Sequence, residues 1–336
     1  MPDQSSPVLL RHSSRITPIR KKGASHDPYL PSLDSREIWV LRDDELGGFW
    51  GTKFRKYVSI REHCKIENIT HIVCTGGINS NNLAAAAILC TEAGISVTAF
   101  AVEDHADASG PVTGNRMLLR TALPPERLIL VPRSEKDSIE ERMHALAAQN
   151  AAQGTRSLIL LEGGGCHAAV PGCLTLADDI MRPRLEWIDK KLPDHIFIDS
   201  GTAVSAASLA AGLLQRGADQ RTKLHIVQMA GFEEQVKHAF SQWVTPVTKV
   251  TWDQVNHFAR VYRPLSPRSY GATSAELFEF IRYMARTHGL LVDPIYSGKL
   301  FARAFDLITG QNLRGRILVV HTGGISGLMG FTVDSK

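Results

Sequence analysis

Along the chain, short continuous apolar runs alternate with stretches whose apolar positions recur at helical spacing. The runs at 38–41, 70–74, 96–102, 128–131, 158–161, 196–198, 224–229 and 317–321 read as strands. Residues 53–64, 82–93, 115–121, 139–149, 205–215, 252–262, 274–287 and 300–307 read as helices, the second alanine-rich and closed by Gly94. Strands that are apolar throughout and separated by helices belong to parallel sheets covered on both faces, so the pattern predicts an α/β fold. Residues 1–35 are rich in Ser, Pro and charge and lack periodicity, which predicts an extended arm with a frayed beginning.

Composition narrows the class. A chain of 336 residues with 43% apolar content is expected to bury a large core in one or two interlocked domains. The formal charge of +4 is spread along the chain, too weak a footprint for nucleic acid or a membrane surface. No stretch has the length and apolarity of a membrane span, and residues 1–20 lack a signal-type apolar core, so a cytoplasmic protein is expected. The five cysteines show no metal-ligand spacing and read as reduced thiols; Cys74 and Cys90 lie in apolar runs, whereas Cys166, after three glycines, reads either as a buried hydrophobe or as facing a pocket.

Candidate chemistry sits where glycine-rich loops follow apolar strands: Gly76-Gly77, Gly163 to Gly165, Ser200-Gly201 and Gly323-Gly324. Ligands of parallel sheets bind beyond the carboxyl ends of the strands, and four such loops suggest a phosphate-bearing cofactor. In Ser200-Gly201-Thr202-Ala203-Val204-Ser205, small residues at a helix start let backbone N–H groups approach an anion, or serve only capping and packing. Asn79-Ser80-Asn81-Asn82 forms a donor-rich cup for a carboxylate or phenolate oxygen, although one helix cap needs only one of the four. Lys53, Arg55 and Lys56 crowd one helical turn after a glycine turn. They read as a solvated charge run or, with a compensating anion, as the place of a Schiff-base lysine.

Taken together, these segments resemble the 1-aminocyclopropane-1-carboxylate deaminase and D-cysteine desulfhydrase family. The pieces come in the family's order: Thr17-Pro18, Leu41-Arg42-Asp43-Asp44, Gly51-Thr52-Lys53-Phe54-Arg55-Lys56, Gly76-Gly77-Ile78-Asn79-Ser80-Asn81, Thr113-Gly114-Asn115-Arg116, Glu162-Gly163-Gly164, Tyr270-Gly271, the run from Asp293 through Lys299, and His321-Thr322-Gly323-Gly324. The resemblance implies a homodimeric, pyridoxal 5'-phosphate-dependent enzyme of fold type II, tryptophan synthase β-like, with the cofactor in the cleft between two domains. Its large domain would take residues 1–50 and 164–336, with 1–15 a flexible arm, and its small domain residues 51–163. The resemblance makes Lys53 the Schiff-base lysine and proton shuttle and Lys56 a partner of the phosphate. Asn81 would bond the phenolic oxygen, with Ser80 beside the substrate carboxylate or aiding proton transfer. Residues 200–205 would be the phosphate loop, and Tyr270 and Tyr296 would flank substrate and ring.

Departures from the family pattern bear on the substrate. Thr52 stands where Asn is usual, Asn79 where Gln is usual, and Asn82 where His or Gln is usual; Asn79 and Asn82 would line the carboxylate side of the pocket. Ser297 and Thr322 stand where deaminases like the type member carry Glu and Leu, so two neutral hydroxyls are expected at the ring nitrogen. That arrangement leans toward elimination from D-cysteine, with ring-opening deamination or β-replacement as the alternatives. The substrate in each case is a small amino acid.

Overall fold

The computed structural model describes residues 13–19, 28–30, 36–103, 109–182, 192–265, 267 and 270–331. Among the described residues ten strands follow one another: β1 (Ile16–Pro18), β2 (Arg36–Leu41), β3 (His71–Gly77), β4 (Ser96–Glu103), β5 (Leu128–Pro132), β6 (Ser157–Leu160), β7 (His195–Ser200), β8 (Lys223–Gln228), β9 (Ala259–Tyr262) and β10 (Gly315–Val320). The described residues divide into two compact units, Met1–Thr52 with Cys173–Ile325 and Lys53–Gly172 with Ser326–Lys336.

The first unit holds a six-stranded sheet of order β1-β2-β10-β7-β8-β9, parallel except where β1 meets β2. Its central strands are built from β-branched and aromatic residues, and Ile196, Phe197, Ile198, Ile226, Leu318 and Val319 are fully buried, as strands covered on both faces require. The second unit holds a four-stranded, all-parallel sheet of order β5-β4-β3-β6. Its alanine-rich helix Asn81–Glu92 buries Ala84 through Ala87, whose small side chains allow close packing. The fold is therefore the α/β arrangement of parallel sheets with helices that the pattern predicts.

Both sheets have a switch point, where successive connections leave in opposite directions. In the first it lies between β10 and β7, in the second between β3 and β6. The glycine-rich loops after these four strands are the loops singled out from the sequence, and this is where α/β sheets bind ligands.

Some local expectations change. The helix expected over 252–262 stops at Val255, and Ala259–Tyr262 instead forms β9, parallel to β8; pairing with a sheet edge outweighs the local helical spacing. Residues 1–12, 20–27 and 31–35 of the expected arm lie outside the described residues. Of the rest, Ser14 is held by its amide donating to Asp179 Oδ2 at 2.7 Å. All five cysteines are free thiols and buried, Cys166 among them. No helix among the described residues is long and apolar enough to cross a membrane.

Candidate functional site

In the first unit, β7 ends at Ser200 and the helix Val204–Gln215 begins four residues later. The connecting loop places Ala203 in the left-handed region, φ +65°, the conformation that glycine adopts most cheaply. No side chain caps this helix, so its first N–H groups face the loop without a side-chain acceptor. The buried Ser200 hydroxyl has no hydrogen-bond partner among the described residues. Gln228, at the end of β8, fixes the loop by donating to the carbonyls of Gly201 and Ala230, each at 2.5 Å. Uncapped amides at a helix start, an orphaned buried hydroxyl and a strained turn together fit a phosphate group.

Tyr296 lies against this loop. A Cβ added at Gly201 would stand 3.0 Å from the Tyr296 ring, so glycine is what lets the ring approach. The Tyr296 and Tyr270 hydroxyls are 2.8 Å apart. Burial first, and then the neighbouring Tyr270, push the Tyr296 hydroxyl well above the ordinary tyrosine range, so it stays protonated. Tyr270 is exposed.

Asp293 holds Tyr296 in place. One carboxylate oxygen accepts the N–H groups of Ile295 and Tyr296, both at 2.8 Å, and the other accepts the Ser297 N–H at 2.9 Å and the Ser297 hydroxyl at 2.7 Å. The Ser297 hydroxyl also accepts the Asp293 N–H at 2.8 Å. Ser297, expected as a neutral partner of the ring nitrogen, is thus buried with its only hydroxyl proton given to Asp293.

Thr322 follows β10. Its carbonyl accepts both the N–H and the hydroxyl of Thr52, each at 2.9 Å, which pins the residue directly before Lys53. Gly51, φ +63°, leaves room for this approach, because a Cβ there would run into the Thr322 carbonyl. The Thr322 hydroxyl donates to Asp199 Oδ1 at 2.6 Å. It is therefore bonded to a carboxylate.

In the second unit, Lys53 is half-buried in the first turn of the helix Thr52–Ile66, a turn without acidic residues. Lys56, one turn on, is fully buried and its ammonium donates to the Gly163 carbonyl at 2.6 Å. That position favours bracing the loop after β6 over the phosphate contact the resemblance implies.

The four residues of the polar cup do different things. Ser80 is the helix cap, its hydroxyl oxygen accepting the N–H groups of Asn82 at 3.1 Å and Leu83 at 3.4 Å. Asn82 is buried, and with its amide oriented to suit its neighbours it donates to the Gly163 carbonyl at 3.1 Å. In that orientation it accepts the Gly164 N–H at 3.0 Å and the Tyr57 hydroxyl at 3.2 Å. The structure therefore gives Asn82 a role in the fold, where the sequence suggested a pocket lining. Asn79 is exposed and its carbonyl accepts from Asn115 Nδ2 at 3.0 Å. Asn81 Oδ1 accepts from Asn115 Nδ2 at 2.6 Å and from the Ser326 hydroxyl at 3.3 Å, leaving its NH₂ end as the group able to donate to a ligand.

Asp199, Asn115, Asp293 and Gln228 received no role from the sequence. A charged residue closing an otherwise apolar strand was the one visible signal for Asp199; Asp293 acts within its own turn, on Ile295 to Ser297, whereas Asn115 acts on Asn81 and Gln228 on Gly201 across distant stretches of the chain.

Comparison with known proteins gives consistent findings. The model of the family described as pyridoxal-phosphate dependent enzyme matches residues 17–323. A D-cysteine desulfhydrase of Yersinia pestis (strain Pestoides F) is 27% identical over 329 residues, covering 94% of this chain and 93% of the relative. One of Serratia proteamaculans (strain 568) is 26% identical over 334 residues, covering 94% and 93%. Among solved structures, an ACC deaminase homologue superposes with a TM-score of 0.76 at 20% identity, covering 96% of this chain and 92% of that one.

Proposed function

Since the chain belongs to the pyridoxal-phosphate dependent enzyme family, we propose that it is a lyase that eliminates the β-substituent of a small amino acid, with D-cysteine giving pyruvate, hydrogen sulfide and ammonia. The observation that carries this reading is the likeness to D-cysteine desulfhydrases along 94% of the chain. The resemblance further implies a homodimer.

Pyridoxal phosphate, bound through a lysine, supplies an electron sink for negative charge developing at the substrate Cα. Lys53 would hold the cofactor through its amine and would be the base that takes the α-proton of the substrate. Residues 200–205 hold the phosphate through the amides that start the helix Val204–Gln215 and through the Ser200 hydroxyl. The Asn81 NH₂ group donates to the phenolic oxygen, in the orientation that Asn115 imposes. Ser80, whose hydroxyl proton is left over from capping, donates to the substrate carboxylate. The Tyr296 hydroxyl, kept protonated by burial, gives its proton to the departing thiolate and recovers one through Tyr270 from solvent. Water then completes the release of pyruvate and ammonia.

The test is to feed the cofactor-loaded enzyme D-cysteine, L-cysteine and 1-aminocyclopropane-1-carboxylate and to quantify sulfide, pyruvate and 2-oxobutanoate. Pyruvate and sulfide in equal amounts from D-cysteine, with little 2-oxobutanoate, is the expected result. Rapid 2-oxobutanoate formation with no pyruvate would favour the deaminase reading instead.

A further inference from the structure

A threonine hydroxyl has one proton to give and two lone pairs to offer. At Thr322 the proton is already placed, because Oγ1 donates to Asp199 Oδ1 at 2.6 Å, within the range for a hydroxyl bonded to an ionised carboxylate. A carboxylate at Asp199 can only accept, which leaves the Thr322 hydroxyl as the donor of this bond. The backbone offers no means of turning the hydroxyl away. The Thr322 carbonyl is held by two bonds from Thr52, and Gly51 and Gly323, at φ +63° and +113°, pack against each other with 3.2 Å between a Cβ added at Gly323 and the Gly51 Cα. Asp199 itself is the last residue but one of β7, next to β10 at the sheet's switch point, and is buried.

We propose that Asp199 is a positioning residue that makes the Thr322 hydroxyl an acceptor only, so that the cofactor's ring nitrogen is held there in its protonated form. The proposal rests on the reading that Thr322 faces that nitrogen. It reverses what two neutral hydroxyls suggest from the sequence. Ser297 is fully buried with its hydroxyl already both donating to and accepting from Asp293, whereas Thr322 is partly exposed and relays the charge of a carboxylate standing behind it. A protonated ring withdraws electrons more strongly than a neutral one, so the Asp199–Thr322 pair does by relay what a glutamate in direct contact does elsewhere.

Enzyme reconstituted with pyridoxal phosphate labelled with ¹⁵N in the ring reports the protonation state through its ¹⁵N NMR shift, without turnover. The wild type is expected at the pyridinium position. Asp199→Ala, which frees the hydroxyl proton to be donated to the nitrogen, is expected to move the signal to the neutral pyridine position and to lower kcat about tenfold with KM little changed. Where Asp199→Ala fails to fold, Asp199→Val suits the strand, offers no acceptor for the Thr322 proton and reads the same displacement. Thr322→Val should move the signal as well. A neutral nitrogen in the wild type overturns the proposal. A signal that moves in Thr322→Val but stays in the Asp199 variants overturns it while leaving the placement of Thr322 intact, and a signal unmoved by Thr322→Val removes that placement and the proposal together.

Discussion

The Asn115 amide nitrogen donates to Asn81 Oδ1 at 2.6 Å, and this bond, with a longer one from the Ser326 hydroxyl at 3.3 Å, decides which end of the Asn81 amide is left to act on a ligand. The same nitrogen reaches the Asn79 carbonyl at 3.0 Å, so Asn115 ties together the turn that precedes the helix Asn81–Glu92. Asn115→Ala is therefore expected to weaken pyridoxal phosphate binding about tenfold, roughly the 1–1.5 kcal/mol of one buried hydrogen bond. In a double-mutant cycle with Asn81→Ala, the two losses should not add, because Asn115 acts through Asn81. Additive losses in a cofactor titration would show that Asn115 acts independently.

Lys53 and Lys56 lie one helical turn apart and are separated by burial and partner. Lys53→Ala should abolish the borohydride-trappable link to the cofactor and its absorbance band while leaving the circular dichroism spectrum unchanged. Lys56→Ala should keep the link and lower the melting temperature, since it removes the charged donor to the Gly163 carbonyl and empties the buried space its long side chain fills. The reverse pattern in mass spectra of the reduced enzyme would reassign the lysine.

Installing the deaminase-like glutamate at Ser297 is expected to damage the fold before it alters the reaction. Ser297 is 0% exposed and its hydroxyl lies 2.7 Å from Asp293 Oδ2, so a carboxylate there would be buried beside a like charge. A loss of about 3 kcal/mol or more is expected for Ser297→Glu in urea unfolding. Thr322→Leu, by contrast, should fold and lose the bond to Asp199. A stable Ser297→Glu variant with new ring-opening activity would contradict this placement.

Acid stability should depend on His225. Its ring stacks on Phe197 with centroids 4.3 Å apart and lies 3.0 Å from His195 Nδ1; burial, and then the neighbouring His195, lower its pKa to about 3. An unfolded histidine titrates near 6.5, so between these values the unfolded chain binds a proton that the folded chain refuses. The resulting stability is complete above about pH 6.5 and is lost as the pH falls toward 3. Between pH 7 and pH 5 this one group should cost the wild type about 2 kcal/mol of unfolding free energy. In His225→Gln that part of the decline should be missing from the denaturation midpoints. Equal declines in both proteins would place the acid sensitivity elsewhere.

The sequence by itself determined the α/β class, most strands, the glycine-rich loops at their ends and the ordered motifs that point to pyridoxal phosphate. Apolar periodicity and small-residue runs are local properties, and the chain writes them directly. The same local signal failed at residues 259–262, where spacing suggested helix and the open edge of β8 made a strand. Only the tertiary structure decided how the polar side chains are used. Four polar residues in a row at Asn79 to Asn82 look alike in sequence, yet one caps a helix, one is locked to Gly163 and Gly164, one is turned by Asn115 and one is exposed. The hydroxyls of Ser297 and Thr322 look free in sequence and are each bonded to a carboxylate in the fold. Asp293 is only four residues from Ser297, but the turn that joins them is irregular; Asp199 lies 123 residues from Thr322 and meets it only because β7 and β10 pair. A hydroxyl's chemistry depends on where its single proton goes, and that is fixed by neighbours the linear chain does not display.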